Sequence, residues 1–189
     1  MKPAIDCAVL APASAGERGE LEQFIAERFR AAYGARVGHF CAQLVGVGDS
    51  AGRCLAAAGY TAARSARLYL EHYLDDPVEA LLGRAAGRRV ARESIAEVGN
   101  LAAAPGMGRA LIPLLGRHLH AMGFRWVVFT ATRELRNAFR RLQLEPLVLA
   151  AAAAGRLPDG GAAWGSYYQH DPKVIGGPIA PCLRVAELA

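Results

Sequence analysis

The sequence lacks paired cysteines, long apolar segments and internal repeats. Its four cysteines, Cys7, Cys41, Cys54 and Cys182, stand alone, with no C-x-x-C pair and no histidine at zinc-ligand spacing. This pattern predicts no metal site and favours cysteines that are reduced and buried. The apolar run at residues 147–155 falls short of the roughly 18 consecutive apolar residues that a membrane-spanning helix requires.

The amino-terminal stretch MKPAIDCAVLAPASAG also lacks a continuous apolar segment. Lys2 and the Ala-Ser-Ala sequence superficially resemble parts of a signal peptide. However, Pro3 and Asp6 interrupt the region that should be apolar in such a signal. We therefore expect a cytoplasmic protein.

Charged residues are sparse and slightly basic overall. Of 189 residues, 21% are charged and 53% are hydrophobic, and the formal net charge is +5. This composition predicts one globular domain spanning residues 1–189. The modest positive charge would suit an acidic partner or a phosphate-bearing ligand, and it does not require nucleic acid.

The first half of the chain predicts one helix packed against antiparallel strands. A first strand is expected at residues 5–10, followed by a helix whose apolar residues recur every three or four positions and which ends near Gly34. Two apolar runs at residues 37–47 and 54–61 flank the turn sequence GDSAG, which predicts a hairpin. A third strand at residues 66–73 would extend this meander.

The second half predicts a βαβ unit. A strand at residues 94–102 leads through a loop containing Gly106 and Gly108 into an amphipathic helix. A nearly all-apolar strand at residues 126–131 is of the kind buried on both faces. A second helix, a strand at residues 146–149 and a turn-rich tail follow. The predicted fold class is therefore α/β, with a mixed sheet flanked by helices.

The glycine loop is the most informative local feature. A strand that delivers two glycines to a helix start exposes backbone N–H groups, which can hold a pyrophosphate. The alternative is a tight turn with a helix cap. The loop matches neither a P-loop, since no Lys-Ser/Thr follows, nor the dinucleotide fingerprint, whose third glycine is missing.

The segment from Glu97 to Leu149 resembles motifs A and B of the GNAT superfamily of acyltransferases. Its loop AAPGMGR carries both glycines of the Q/R-x-x-G-x-G/A pattern, with Ala103 at the Gln/Arg position. Phe139 stands where these enzymes often have a tyrosine that protonates the departing thiolate. The resemblance implies a GNAT-like sheet whose central parallel strands splay apart around acyl-CoA or acyl-phosphopantetheine. The donor contacts that it implies are Val98, Gly99, Leu101, Ala103, Gly106, Met107, Gly108, Arg109, Thr132 and Phe139.

The sequence ESIAEVGNLAA at residues 93–103 is similar to a strand of acyl-homoserine-lactone synthases and related N-acyl amino acid synthases. Glu97 matches their glutamate, and Asn100 takes the place of their arginine. The resemblance implies an N-acyltransferase that moves an acyl group from acyl-CoA or acyl carrier protein to an amine by direct attack. Glu97 would act as the base, directly or through water. A salt bridge to an arginine is its alternative role.

Nearly the whole chain resembles the thermostable hemolysin family. The matching segments include FIAERFRAAYGARVGHF, LYLEHYLDDPVE, FRWVVFTAT and DGGAAWGSYYQHDPKVIGG. The family name implies red-cell lysis, so a membrane-active hemolysin is an alternative function. A GNAT-fold module that binds thioesters without catalysis is another, because Ala103 and Phe139 depart from the acyltransferase pattern.

Further polar groups are candidates for the catalytic site. On the predicted strand at residues 66–73, Glu71 and Tyr73 would share one face. The tail sequence WGSYYQHDP concentrates aromatic and hydroxyl groups that we expect to line the acceptor pocket, with Tyr168 and His170 as candidate catalytic residues. Asn100 completes the catalytic set.

A basic segment precedes the strand of Glu97. It could contact the acidic face of an acyl carrier protein or the phosphates of coenzyme A, and its alternative is a solvated loop. Its residues are Arg84, Arg88, Arg89 and Arg92. The small-molecule partner that we expect is an amine acceptor.

Overall fold

The protein is built on a mixed β-sheet, and the computed structural model describes residues 11–12 and 14–186. The strands are β1 (Ala11–Pro12), β2 (Gln43–Gly48), β3 (Cys54–Ala62), β4 (Ile95–Ala103), β5 (Trp126–Ala131), β6 (Leu147–Ala151) and β7 (Lys173–Pro178). The α-helices are α1 (Ala15–Tyr33), α2 (Val78–Ala86), α3 (Gly108–Ala121), α4 (Arg133–Arg141) and α5 (Ala180–Ala186).

The sheet order brings the predicted βαβ unit to the centre. Across the described residues the order is β1-β2-β3-β4-β5-β7-β6. Strands β4 and β5 run parallel, and every other neighbouring pair is antiparallel. The predicted fold class is confirmed: antiparallel amino-terminal strands join a parallel central pair, and helices flank the sheet.

Helix α1 has well-defined caps at both ends. The Ser14 backbone N–H donates to the Glu17 carboxylate at 2.9 Å, and the Glu17 backbone N–H donates to the Ser14 hydroxyl at 3.4 Å. This capping box satisfies donors that the first helical turn leaves free. Gly34 ends the helix in the left-handed region, with φ 68°. Leu21 and Ile25 then bury the apolar side of the helix against the sheet.

Helices cover both faces of the central strands. Phe129 of β5 packs among residues of α3, including Leu115, whereas Val128 packs on the opposite face with Leu82 of α2. Val128 is fully buried and Phe129 is 3% exposed. Strand β5 is therefore buried on both faces, as its apolar sequence predicts.

The predicted third strand at residues 66–73 is wrong. Residues Tyr69–Tyr73 form a 3₁₀ helix, and β4 takes the place beside β3. Side chains hold this turn: the Glu97 carboxylate accepts the backbone N–H groups of Tyr69 and Leu70. In a strand, these two N–H groups would donate to carbonyl groups of a neighbouring strand. Here the Glu97 carboxylate accepts them instead.

The carboxy-terminal tail contains regular structure that the sequence analysis missed. Strand β7 inserts between β5 and β6, pairing Trp126 with Pro178 and Leu147 with Gly176. The strand expected at residues 5–10 lies outside the described residues, as does Cys7. The cysteines of the described segment are free: Cys41 is buried, and Cys54 and Cys182 are partly buried.

Candidate functional site

Strands β4 and β5 are paired along only the first part of their length. Their register runs from Ile95 opposite Trp126 to Val98 opposite Phe129. Beyond that point β4 continues along β3 as far as Ala103, and β5 continues along β7. The predicted splay of the parallel pair is therefore present.

A cavity of about 550 Å³ occupies the space beside this splay. Predicted site residues supply much of its lining: Tyr73, Glu97, Val98, Gly99, Asn100, Leu101, Ala103, Gly108 and Thr132. The aromatic tail adds Trp164 and Tyr167. Residues that the sequence analysis did not single out complete the lining: Phe29, Tyr33, His39, Cys41, Tyr69, Thr130, Glu134 and Leu135.

Glu97 is the buried carboxylate of this cavity. It is 7% exposed, and its two oxygens accept the Tyr69 N–H at 2.8 Å and the Leu70 N–H at 2.9 Å. Burial raises the pKa of Glu97 to about 7, although the two backbone hydrogen bonds oppose this shift. A carboxylate with such a pKa is suited to accept a proton near neutral pH. The alternative of an arginine salt bridge at Glu97 is not what the structure shows.

Asn100 marks an irregularity in β4. Its φ is 53°, and the register between β3 and β4 shifts between Ala57 and Gly59. The side-chain oxygen accepts the Cys41 N–H at 2.9 Å, and the side-chain N–H donates to the His39 carbonyl at 3.2 Å. Asn100 thus holds the segment before β2 at the cavity wall, which is a positioning role.

A continuous belt of aromatic rings forms one wall of the cavity. Tyr69 stacks on His39 with ring centroids 4.6 Å apart, and its ring lies 6.3 Å from that of Trp164. Trp164 lies 5.3 Å from Tyr167, which in turn contacts Tyr33 edge-on at 5.2 Å. Residues from α1, the 3₁₀ helix at Tyr69–Tyr73 and the tail therefore share one wall. No local sequence pattern links these distant segments.

The glycine loop lies at the other side of the cavity. Gly106 adopts φ 88°, and Gly108 begins α3 and lines the cavity. The structure shows no side-chain cap for α3. The free N–H groups of its first turn are therefore available to an anion. Met107 is buried in the core, and Arg109 is exposed and outside the lining.

Glu71 belongs to a separate ion-pair network. The Arg92 guanidinium donates to both of its oxygens, at 2.7 and 2.9 Å, and the Leu68 N–H donates at 2.9 Å. Although burial opposes the shift, the hydrogen bonds from Arg92 and the backbone lower the pKa of Glu71 to about 2. Glu71 lies outside the cavity lining and on a 3₁₀ helix, so the expected shared strand face with Tyr73 is wrong.

Four other predicted site residues also lie outside the lining, among them Gly106 of the glycine loop. The Tyr168 hydroxyl contacts the Tyr73 hydroxyl at 2.7 Å, and the His170 ring nitrogen lies 3.4 Å from the Glu134 carboxylate. Phe139 is 8% exposed and packs against Phe129 in the core, with ring centroids 5.0 Å apart. Phe139 is thus a core residue, because the inward face of α4 must cover β5.

The basic segment lies away from the cavity. Arg92 is committed to Glu71 and Glu79, and Arg84 pairs with Asp76. Arg88 places its guanidinium 4.8 Å from the centre of the Trp126 ring, while Arg89 is exposed. Most of these charges therefore have intramolecular partners. Contact of this segment with an acyl carrier protein stays a prediction.

Two structural features are absent from the described residues. None of the helices there is both long and apolar enough to cross a bilayer. No cluster of three or more His, Cys, Asp or Glu side chains in that part of the chain is arranged to hold a metal ion.

Comparison with known proteins gives one family match. The model of the family described as thermostable hemolysin matches residues 11–183. No curated protein matches the sequence.

Solved structures share the fold at low sequence identity. FeeM, an N-acyl amino acid synthase from uncultured soil microbes, is 13% identical with a TM-score of 0.64, over 97% of this chain and 98% of FeeM. BjaI, a CoA-dependent acyl-homoserine lactone synthase solved with SAM and isopentyl-CoA, is 14% identical with a TM-score of 0.54, over 96% and 88%. Spermidine N-acetyltransferase from Vibrio cholerae, solved with CoA and spermine, is 10% identical with a TM-score of 0.55, over 93% and 98%. The fold is therefore GNAT-like.

Proposed function

The chain belongs to the thermostable hemolysin family, and we propose that it is an N-acyltransferase that moves an acyl group from a thioester to an amine. The observation that carries this proposal is the position of Glu97. Its carboxylate lines the cavity where β4 and β5 separate, and its pKa is about 7. A base at this place can accept the proton that an amine loses during acyl transfer.

The donor in this proposal is the thioester of coenzyme A or of an acyl carrier protein. Its pantetheine arm would lie in the splay, where Val98, Gly99 and Leu101 line the cavity. The pyrophosphate of coenzyme A would bind the uncapped first turn of α3 at Gly108. The similarity of the fold to solved structures that contain CoA or acyl-CoA supports this placement.

The reaction proceeds by direct attack in this proposal. Glu97 takes a proton from the acceptor, and the amine nitrogen forms a bond to the thioester carbonyl carbon. The carbon–sulfur bond then breaks, and the thiolate leaves. Because Phe139 is buried in the core and carries no hydroxyl, the thiolate takes its proton from water or from a tyrosine hydroxyl of the cavity.

The cavity cysteine supports direct attack over a covalent acyl-enzyme. Cys41 lines the cavity, and burial raises the pKa of its thiol to about 12. Only the thiolate is an effective nucleophile, and such a pKa leaves almost none at neutral pH. Cys41 is therefore a poor candidate for an acylated intermediate.

Release of free thiol tests the proposal. The purified protein is incubated with acyl-CoA and acyl carrier protein donors of several chain lengths, together with a panel of primary amines. We expect amine-dependent thiol release and an amide product seen by mass spectrometry. Glu97→Gln should lower kcat by about 100-fold or more, since a general base contributes factors of this size.

Glu93→Gln is the matched control, because Glu93 is exposed and lies outside the cavity lining. It should retain the activity of the unmodified protein. Circular dichroism and thermal unfolding establish that both variants are folded. Complete absence of thiol release with every donor, from a folded protein, would contradict the proposal. Thioester binding without turnover, measured by calorimetry, would instead select the inactive binding module.

The family description supplies a second candidate, a membrane-active lytic protein. Leakage of dye from liposomes distinguishes it from the enzyme. Lysis by purified protein that is unchanged in Glu97→Gln would favour the lytic function. Thiol release that depends on Glu97, without leakage, would favour the acyltransferase.

A further inference from the structure

We infer that the acceptor is an amine with an aromatic or apolar body and no carboxylate group. This inference rests on the proposed acyl transfer to an amine and names the class of amine. The chemistry of the cavity lining carries it.

The lining is rich in aromatic rings and poor in positive charge. Six of the chain's fourteen Phe, Tyr and Trp residues line it. They are Phe29, Tyr33, Tyr69, Tyr73, Trp164 and Tyr167. Both charged side chains of the described lining are acidic, Glu97 and Glu134, in a protein whose net charge is +5. The local charge therefore opposes the global charge.

Two arginines that neighbour lining residues are engaged elsewhere. Arg136 donates to the Asp171 carboxylate and to the Asp171 carbonyl, each at 2.6 Å. Arg18 pairs with Glu22 at 2.9 Å and donates to the carbonyls of Cys41 and Ala42 at 3.1 Å. Neither guanidinium is free to bind a ligand carboxylate in the cavity.

The amino terminus of α4 at the cavity is also occupied, and that of α3 is assigned to the pyrophosphate of the donor. Thr132 caps α4 by accepting the Leu135 N–H at 3.4 Å, and Glu134 already places a negative charge in its first turn. An acceptor carboxylate here would meet a second carboxylate. A carboxylate placed instead among the rings near Glu97 would lose its hydration without a compensating cation, which is costly for a buried charge.

The same lining favours a protonated amine. Ring faces attract ammonium groups, and desolvated sites strengthen the attraction. The continuous ring contacts from His39 through Tyr69 and Trp164 provide both apolar surface and π-faces. After binding, transfer of the ammonium proton to the Glu97 carboxylate leaves the neutral amine that attacks the thioester.

Two matched ligand pairs test the inference by calorimetry, without any acyl donor. Tryptamine and tryptophan, and likewise tyramine and tyrosine, differ only in the carboxylate. We expect each amine to bind about tenfold or more tightly than its amino acid, which corresponds to about 1.4 kcal/mol. Equal binding, tighter binding of the amino acids, or no binding of either member at millimolar concentration would overturn the inference.

A charge reversal at Glu134 tests whether the preference for amines over amino acids arises in the cavity. Glu134 is largely exposed, with 65% of its side chain accessible, so Glu134→Lys should fold. It should reduce the preference for tryptamine over tryptophan severalfold. Glu145→Lys makes the same change of charge at an exposed residue outside the lining and should retain the preference. Equal effects of both variants would contradict a local origin.

Thiol release from acyl-CoA, measured with the same four ligands, separates this inference from the proposed function. Amine-selective binding without turnover would support the acceptor class and contradict catalysis. Turnover with the amino acids in preference to the amines would support the acyltransferase and overturn the acceptor class.

Discussion

Two glutamates of similar burial have opposite acidities because their partners differ. Glu97 is 7% exposed and has only backbone N–H donors, so burial dominates and raises its pKa to about 7. Glu71 is also 7% exposed but binds the Arg92 guanidinium, which outweighs burial and lowers its pKa to about 2. One carboxyl is therefore poised to exchange a proton, and the other remains a fixed anion.

We predict that activity rises with pH through a midpoint near 7 as Glu97 ionises. The measurement is kcat against pH for two acceptor amines of different pKa, which should share this limb because it belongs to the enzyme. Loss of the limb in Glu97→Gln would support the assignment. A limb that moves with the pKa of the acceptor would contradict it.

As pH changes, these two residues change the free energy of unfolding in opposite directions. Glu97 binds its proton more tightly in the folded protein, so its contribution to the free energy of unfolding falls as pH rises from 4.5 to about 7. The contribution of Glu71 is present above pH 4.5 and is lost as pH falls towards about 2. The raised pKa that suits Glu97 to the proposed role of base therefore costs stability at neutral pH.

At the scale of elements, the carboxy-terminal tail is fastened to the end of α1. The Arg36 N–H donates to the Ala163 carbonyl at 2.7 Å, and the Ser166 N–H donates to the Tyr33 carbonyl at 2.8 Å. Gly165 adopts φ 55° between them. These contacts bring Trp164 and Tyr167 to the cavity, so this junction builds the aromatic wall.

We predict that Gly165→Ala lowers the free energy of unfolding by about 3 kcal/mol, because a side chain is strained at positive φ and crowds the backbone. A Cβ atom at Gly165 would lie 2.1 Å from the Tyr33 carbonyl oxygen. Urea denaturation measures the loss. Gly155→Ala is the control, since Gly155 has no atom within 4 Å of the added Cβ. Equal stability of the two variants would contradict the junction.

At the scale of the whole molecule, donor binding should stabilise the fold. Coenzyme A at about 100 times its Kd adds about 2.7 kcal/mol to the free energy of unfolding. For a chain of this size we therefore expect Tm to rise by roughly 5–10 °C, measured by differential scanning calorimetry.

The first turn of α3 provides a specific check on this rise. Gly108→Asp adds a negative charge where the pyrophosphate would bind, and it should abolish the shift. Gly16→Asp makes the same change in the first turn of α1 and should keep it. Both glycines have open space around an added Cβ, so neither substitution is sterically strained. If coenzyme A still raises the Tm of Gly108→Asp, its pyrophosphate does not bind at the first turn of α3.

The amino-acid sequence alone was enough to predict the local features of this protein. Helix α1 with its end near Gly34, the βαβ unit and the glycine loop follow from spacing and residue chemistry within short windows, whereas the family resemblance implied Glu97 as the candidate base. The family resemblance supplied the splay of the central strands, which the structure contains. The features predicted from short windows depend on residues that are close together in the chain.

The position of the cavity and the residues that line it became known only from the folded structure. Tyr69–Tyr73 forms a 3₁₀ helix because the Glu97 carboxylate accepts the N–H groups of Tyr69 and Leu70, while the Glu71 side chain accepts the Leu68 N–H just before the helix. Strand β7 entered the sheet between β5 and β6. The aromatic belt joins rings of α1 to rings of the tail, and the raised pKa of Glu97 depends on the burial that the assembled fold provides. Those pairings are set by packing across the whole chain, on which local periodicity carries no information.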